Sequence, residues 1–507
     1  MIKKIISLNS IKKIIDRDKS SGKKIVLCHG VFDLIHLGHI SYFNSSKKNG
    51  DILVVSVTPK KFVEKGFNRP LFNDTQRVTF LSNLSIIDYV VINNSKNSED
   101  VIKKIKPDFY CKGPDYKSLN QDITGQIKKE IKLVKSYGGK VIFTKDQTFS
   151  SSKIINKLGA TVNQEQKVFL NKLKSSTNIN QNLMNLKNIK NLNVLIIGEV
   201  IIDKYVFSES VGKSGKEPHL VIKELNEEIC LGGAGAIANH ISSFCKNVNL
   251  ITSIGDKKEY LKFIKNNLAK NIKTKFIFKR KSPTIEKKRY LDKISNTKIL
   301  GVYNLNDNNL DKNQDKLFCK YINEKIKKAD LVIVSDYGHG FISKEASKLI
   351  CKKSKFLALN TQINAFNVGY HSLKKYQKVD LLIINEKELR YELREKDLKI
   401  EQLIKKTINT SRIKNLMLTR GKNGSIFYSK KTNKFYYCPA FASKVIDKVG
   451  AGDTMLSIVA PLIKSSFDVK FSMFIGALSA AQSVESISNS LILDKLKLIK
   501  YTKYMLK

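Results

Sequence analysis

Residues 24–57 read "KIVLCHGVFDLIHLGHISYFNSSKKNGDILVVSV", and this stretch decides the fold of the first part of the chain. A β-branched apolar run ends near Cys28, a loop with Gly and His follows, a helix-like segment comes next, and "DILVVSV" is a second buried run. Strand, loop, helix, strand is the pattern of two parallel strands joined by a crossover helix. Further runs follow at "DYVVIN", "PDFYCKG" and "GKVIFTK". Short apolar runs alternating with helical segments predict a parallel sheet covered by helices on both faces.

That alternation ends near Leu158. Residues 161–190 are polar, rich in Asn and free of strand signals, and are read as a helical linker. A second series begins at "NLNVLIIGEVIID" and continues through "NVNLITSIGD", "ADLVIVSDYG", "SKFLALN", "VDLLIINEKE" and "KNLMLTRGKNGSIFY". The expected organisation is therefore α/β throughout: one doubly wound domain over 1–160, a linker over 161–190 and a second doubly wound domain over 191–507. No internal repeat relates the two.

A chain of 507 residues supports two or three domains. The net charge of +46 is unusual, but the lysines are scattered as pairs, with no basic block and few interleaved aromatics. The excess reads as surface usage that mildly attracts phosphorylated substrates, and no nucleic-acid partner is expected. Seven cysteines without a CxxC fit reduced thiols better than a disulfide frame or a zinc site. The start, "MIKKIISLNSIKKIID", is read as an amphipathic helix, its apolar run being too short for a signal peptide. No stretch approaches the roughly 18 apolar residues of a membrane span, so a cytoplasmic protein without membrane insertion is expected.

In the opening stretch, His36-Leu37-Gly38-His39 falls where a helix begins. Backbone N–H groups are unpaired there and the helix dipole favours anions. Imidazoles at i and i+3 share a helical face, and Gly38 removes the side chain that would block a phosphate. Such a pair suits the charge of a phosphoryl transition state. Two satisfied histidines at an ordinary helix start are the alternative. "HGVFDLIHLGH" resembles the signature of the cytidylyltransferase-like nucleotidyltransferases, which have a Rossmann-like fold. The likeness continues through "SVTPKKFVEKGFNRPLFNDTQRVTFL", "PDFYCKGPDYK" and "TFSSSKIINKL". These segments are similar to the adenylyltransferase half of the bifunctional heptose-7-phosphate kinase/heptose-1-phosphate adenylyltransferases. The resemblance implies that His36 and His39 stabilise the α-phosphate, with Lys65 as a further catalytic phosphate contact. It places Gly30, Phe32 and Gly38 against the nucleotide, and Ser150, Ser151 and Ser152 on the β- and γ-phosphates. The serines also read as a capped helix start, and Asp33 as a residue that holds the loop. His29 stands where relatives often carry Asn or Tyr, and Lys153 follows the serines, which leaves ATP or CTP open.

"VIDKVGAGDTM" places Gly450, Ala451 and Gly452 before Asp453 and an apolar helix. Small residues at a helix start let N–H groups close around a phosphate, and a carboxylate beside them can take a proton from an attacking hydroxyl. No GxxxxGK[ST] occurs, so a P-loop is excluded. Asp203 in "GEVIIDKYV", Gly232 and Gly233 in "LGGAGAIANHISSF", "VSDYGHG", "NEKE" and "TRGKNG" follow the order expected of the ribokinase-like sugar kinases, which this part resembles. The glycine run mimics part of a dinucleotide fingerprint, but it does not directly follow a strand and it lacks the acidic residue about 20 positions on. The resemblance implies Asp453 as catalytic base, Gly450–Gly452 as anion hole and Asp203 with Gly232 and Gly233 on the sugar. It implies Asn385 and Glu388 organising Mg²⁺ through water. Lys448 follows Asp447 where relatives usually have Thr, Glu199 replaces Asp, and "LALNTQINAFN" replaces a segment with Asp-Pro-Lys.

Together these readings imply a bifunctional enzyme with its domain order inverted, the nucleotidyltransferase preceding the kinase. It would use ATP and Mg²⁺, with ATP or CTP for nucleotidyl transfer, and make a nucleotide-activated sugar, with ADP-heptose for surface polysaccharide the favoured product. Its partners would be a sugar phosphate, a nucleotide and a separate sugar-bisphosphate phosphatase. A nucleotidyltransferase with a non-catalytic, sugar-binding kinase-like domain is the alternative. Homo-oligomerisation stays open, since the sequence marks no pairing edge.

Overall fold

The computed structural model describes residues 4–63, 69–113, 126–144, 162–186, 188–364, 366–370 and 373–506. The chain forms two compact units, one of Met1–Asn163 with Lys503–Lys507 and one of Gln164–Thr502.

The first unit is built on six strands: β1 (Ile5–Ile6), β2 (Ile25–Gly30), β3 (Ile52–Val57), β4 (Tyr89–Ile92), β5 (Phe109–Lys112) and β6 (Lys140–Phe143). All pair in parallel, in the order β1-β4-β3-β2-β5-β6. Ile25 and Leu27 pack into one buried cluster with Ile11, Ile15 and Val54, while Val26 and Cys28 pack into another with Phe43, Leu53 and Val78. Burial on both faces is why these strands read as unbroken apolar runs. The order reverses between β2 and β5, so a crevice opens beyond their carboxyl ends, where α/β sheets take ligands. The N-terminus departs from expectation. In place of one amphipathic helix it forms β1, then a turn closed by Ser10 N–H donating to Ser7, then a helix over Ile11–Ser20. β-Branched Ile5 and Ile6 complete the sheet by pairing with Val90 and Val91, which outweighs local helical periodicity.

The loop after β2 is anchored by a buried ion pair. Arg69 Nε lies 2.8 Å from Asp33 Oδ2, with both side chains inaccessible. Leu71 and Phe72 N–H groups donate to the two Asp33 carboxylate oxygens at 2.9 Å each, so Asp33 holds this loop. In an Asp33→Asn variant Arg69 is left without a counter-charge and one amide faces an NH₂ group. The expected loss is about 3–5 kcal/mol of stability in this unit, read as faster amide hydrogen exchange in β2 and β3 with the second unit's peptides unchanged.

The second unit contains a nine-stranded sheet and a four-stranded sheet. The larger joins β7 (Asn193–Gly198), β10 (Asn247–Gly255), β11 (Ile272–Lys279), β14 (Leu331–Asp336), β15 (Leu357–Thr361), β16 (Val379–Asn385), β17 (Ile413–Thr419), β18 (Ser425–Ser429) and β19 (Lys434–Cys438). Their order is β11-β10-β7-β14-β15-β16-β17-β18-β19, parallel up to β17 and antiparallel beyond. Again the order reverses once, between β7 and β14. The smaller sheet, in the order β13-β12-β8-β9, joins β8 (Val200–Lys213), β9 (Leu220–Gly232), β12 (Glu286–Asp292) and β13 (Lys298–Asn304). The glycine run does follow a strand, contrary to the sequence reading: β9 ends at Gly232 and a helix covers Gly233–Ser242. That strand lies in the small sheet and pairs antiparallel with β8, which still differs from a dinucleotide-binding unit.

The segment expected as a linker divides at Gln164. Helices over Gln164–Ser176 and Ile179–Asn185 are integral to the second unit. Phe169 lies 6.1 Å from both Phe441 and Phe474 between ring centroids, and Gln166 Nε2 donates to the Ala440 carbonyl at 2.6 Å. Among the described residues no helix is long and apolar enough to cross a membrane.

Candidate functional site

In the first unit His36 caps the helix Leu37–Lys47, its Nδ1 accepting the Gly38 N–H at 3.1 Å. An accepting Nδ1 places the proton of the neutral ring on Nε2. The His36 and His39 rings stack with centroids 4.0 Å apart at 29°, and the Phe32 ring meets His39 edge-on at 5.6 Å. Phe32 adopts φ +48° and folds back over Gly30, where a Cβ would lie 2.9 Å from its ring. Gly30, Phe32, His36, Gly38 and His39 are thus brought together at the switch crevice. Arg77, 1% exposed, ties the walls by donating to the carbonyls of Val31 at 2.6 Å and Thr58 at 2.9 Å. His29 sits below, within hydrogen-bond distance of Ser56 and Thr58. Burial, reinforced by Lys112, lowers its pKa to about 3, so this substitution puts a neutral ring in the crevice floor. Lys65, Ser150, Ser151 and Ser152 lie outside the described residues.

In the second unit the helix Ala451–Lys464 starts at Gly450, which has φ +86° and packs so closely on Asn489 that a Cβ would lie 2.2 Å from its Oδ1. Gly is required there on both counts. Asp453 occupies the first turn and its Oδ1 accepts the Tyr337 hydroxyl at 2.7 Å. Burial and the negative charge of Asp203 raise its pKa to about 7, against the lowering effect of Tyr337 and Lys287. A carboxylate poised there can hold or release a proton near neutral pH. Asp203 is buried, with Arg289 Nη1 at 2.6 Å from Oδ1. A Cβ on Gly232 would fall 2.1 Å from Asp203 Oδ2, so glycine there lets the carboxylate pack against the backbone, and Gly233, at φ +58°, lies where a Cβ would fall 2.4 Å from the Glu199 carbonyl oxygen.

Asn385 and Glu388 form the capping box of the helix Glu386–Leu393: Asn385 Oδ1 accepts the Lys387 N–H at 2.9 Å and Glu388 Oε2 accepts the Asn385 N–H at 3.0 Å. Burial raises the Glu388 pKa to about 7, with a contribution from Asp453. No cluster of three or more His, Cys, Asp or Glu side chains that could hold a metal occurs among the described residues. A single carboxylate that feels the charge of Asp453 fits a Mg²⁺ ion that keeps most of its waters, and does not fit a protein cage.

Several site residues escaped the sequence reading. Tyr337 stands in "SDYGHG", a segment whose tyrosine carries no role that the sequence alone reveals. Its N–H and that of His339 donate to Glu199 at 3.2 Å each. Asn364 and Asn367 both donate to its carbonyl, at 2.9 and 3.0 Å. Glu199 and the unexpected "LNTQINAFN" segment therefore fix the turn that carries Tyr337 to Asp453. Lys448 is exposed, whereas Asp447 beside it accepts from Tyr205 at 2.7 Å and Lys298 at 2.6 Å. Those hydrogen bonds hold the Asp447 carboxyl below its ordinary pKa despite burial.

Residues 191–495 match the pfkB family carbohydrate kinases, and residues 27–157 match the cytidylyltransferase-like family, in the inverted order expected from sequence. Over 158 residues the chain is 38% identical to the bifunctional protein HldE of Campylobacter fetus, covering 31% of each protein. Over 300 residues it is 25% identical to the bifunctional protein HldE of Nitratiruptor sp., covering 58% of this chain and 62% of that one. The match thus spans about a third, 31%, of the length of the first of these curated relatives. In fold, phosphofructokinase-2 from Escherichia coli in complex with potassium superposes with a TM-score of 0.51 at 13% identity, over 62% of this chain and 99% of that one.

Proposed function

This chain belongs to the pfkB family of carbohydrate kinases, and from that premise we propose that it is a bifunctional sugar-phosphate kinase and sugar-1-phosphate nucleotidyltransferase. The kinase unit transfers the γ-phosphoryl group of ATP to the anomeric hydroxyl of a sugar phosphate. Asp453 takes the hydroxyl proton, the sugar oxygen bonds to the γ-phosphorus, and ADP leaves with the bridging oxygen. The Gly450–Gly452 turn receives the transferred group, and Asp203 with Gly232 and Gly233 holds the sugar. Asn385 and Glu388 would hold hydrated Mg²⁺, which supplies neutralisation of phosphate charge. The observation that carries the reading is the buried Asp453 carboxyl in the first turn of a helix that starts at a glycine turn, hydrogen-bonded to Tyr337, where burial raises its pKa to about 7.

The first unit then joins a sugar 1-phosphate to a nucleoside monophosphate. An oxygen of the sugar phosphate bonds to the α-phosphorus of the nucleoside triphosphate, and pyrophosphate leaves. His36 and His39 donate to the α-phosphate, while Lys65 and Ser150–Ser152 take the remaining phosphates. A kinase acting on a sugar 7-phosphate gives a bisphosphate, so a phosphatase must remove the distal phosphate before nucleotidyl transfer. The likeness of "SDYGHG" and "TRGKNG" to heptose kinases supports a heptose as substrate, and ADP-heptose as product.

The test is ³¹P NMR of the full chain with Mg²⁺, ATP and glycero-manno-heptose 7-phosphate, beside a tube with heptose 1-phosphate and ATP or CTP. An anomeric phosphate in the first tube, with pyrophosphate and a nucleotide sugar in the second, is the expected result. Silence in both tubes overturns the heptose assignment. A Tyr337→Phe variant gives a finer prediction. The hydroxyl stabilises the Asp453 carboxylate, so its loss raises the Asp453 pKa above about 7. The acid limb of the kinase kcat/KM profile then moves to higher pH, and an unmoved limb counts against Asp453 as the titrating group.

A further inference from the structure

β12 alternates buried and half-buried residues, and its buried face reads Lys287, Arg289, Leu291. Two cations on the inner face of a strand are costly to desolvate unless something pairs them. Arg289 is paired with Asp203 at 2.6 Å. Lys287 is not: only 7% exposed, its ammonium makes no hydrogen bond or ion pair among the described residues. It lies 5.7 Å from the ring centroid of Tyr303 and 5.8 Å from that of Tyr337, held between two aromatic faces. Burial lowers its pKa, although Asp203, Glu199 and Asp453 oppose the shift. Each of those carboxylates is otherwise engaged. Asp203 holds Arg289, Glu199 accepts two backbone amides, and Asp453 accepts Tyr337. Lys287 lies one strand over from Asp203, its register partner on β8, within reach of the charges of Asp203, Glu199 and Asp453.

We propose that Lys287 binds the phosphate group the sugar substrate already carries, and so makes the kinase select phosphorylated over free sugars. A phosphate dianion supplies the counter-charge and acceptors that the protein withholds from this ammonium. The γ-phosphoryl group of ATP is the other anion within the site, but the Gly450–Gly452 turn provides for it, whereas Lys287 belongs to the small sheet with Asp203. The inference rests on the kinase reading above and adds the residue that holds the substrate's own phosphate.

The test is calorimetric titration of the full chain without ATP, using sugars in phosphorylated and free pairs: glycero-manno-heptose, fructose and ribose. Lys287→Met removes the charge, keeps the length and suits an apolar setting, so folding is retained and is checked by thermal melting. Wild type is expected to favour one phosphorylated sugar over its free partner by on the order of 10- to 100-fold, and Lys287→Met to bring that ratio close to unity. KM for the phosphosugar then rises by more than kcat falls. Preference confined to fructose 6-phosphate or ribose 5-phosphate sinks the heptose reading and leaves this inference standing. An unchanged ratio in Lys287→Met overturns it, as does a wild type with no preference in any pair. Intact phosphosugar binding with a large fall in kcat also overturns it, because Lys287 would then serve the transferred group.

Discussion

Replacing Asp453 by Asn lowers kinase turnover by between about 100- and 10,000-fold, while nucleotidyl transfer by the same preparation is unchanged. The reasoning starts from proton inventory. A sugar hydroxyl attacking phosphorus must lose its proton, and the base that takes it works best with a pKa near the working pH. An ordinary aspartate is too weak a base, but burial and Asp203 lift this carboxyl to about 7. Among the described residues the side chain's one hydrogen bond is that with the Tyr337 hydroxyl at 2.7 Å, which an Asn oxygen can still accept. Folding and sugar binding should therefore survive, and the loss should fall on kcat. Because the deprotonated carboxyl is the active form, wild-type kcat/KM rises with pH through about 7 and then levels. The residual activity of the variant shows no such limb. The check is ADP release across neutral pH for both proteins, and an Asn variant within ten-fold of wild type at every pH removes Asp453 from the chemistry.

The parts of this fold that were legible are those where one physical term dominates. β2 and β3 are apolar at nearly every position because both faces are covered, and the HxGH and GAGD stretches stand out because glycine at a helix start leaves a local mark. β9 and β12 were not legible for the opposite reason. β9 is largely exposed and reads "LVIKELNEEICLG", while β12 reads "EKKRYLD" and buries cations where periodicity expects hydrocarbon. The small sheet is thus hidden by its charged residues, exposed along β9 and buried at Lys287 and Arg289 on β12. Tyr337 was invisible as a partner of Asp453 because a contact between residues 116 positions apart leaves no local pattern. Ile5 and Ile6 misled in the other direction: helical spacing was present, and pairing with β4 overrode it.

His36 and His39 are expected to show the second large effect. Alanine at either position lowers nucleotidyl transfer by about 100- to 1,000-fold, the usual cost of one preorganised donor to a developing oxyanion. The kinase assay serves as the internal control and should not change. The two positions differ in a way that separates chemistry from structure. His36 is also the N-cap of its helix through Nδ1, so His36→Ala gives up about 1 kcal/mol of capping as well. Asn is among the best N-cap residues, and its side-chain oxygen can accept the Gly38 N–H. Its amide ends short of where the imidazole Nε2 would reach a phosphate. His36→Asn should therefore recover the melting temperature lost in His36→Ala without recovering turnover. His39 stacks on His36 with ring centroids 4.0 Å apart, so each ring helps to orient the other, and the double alanine variant is expected to cost less than the product of the singles. Turnover restored by His36→Asn would mean that this ring shapes the helix start and leaves the α-phosphate to other groups, whereas costs that multiply in the double variant would mean that the two rings act independently.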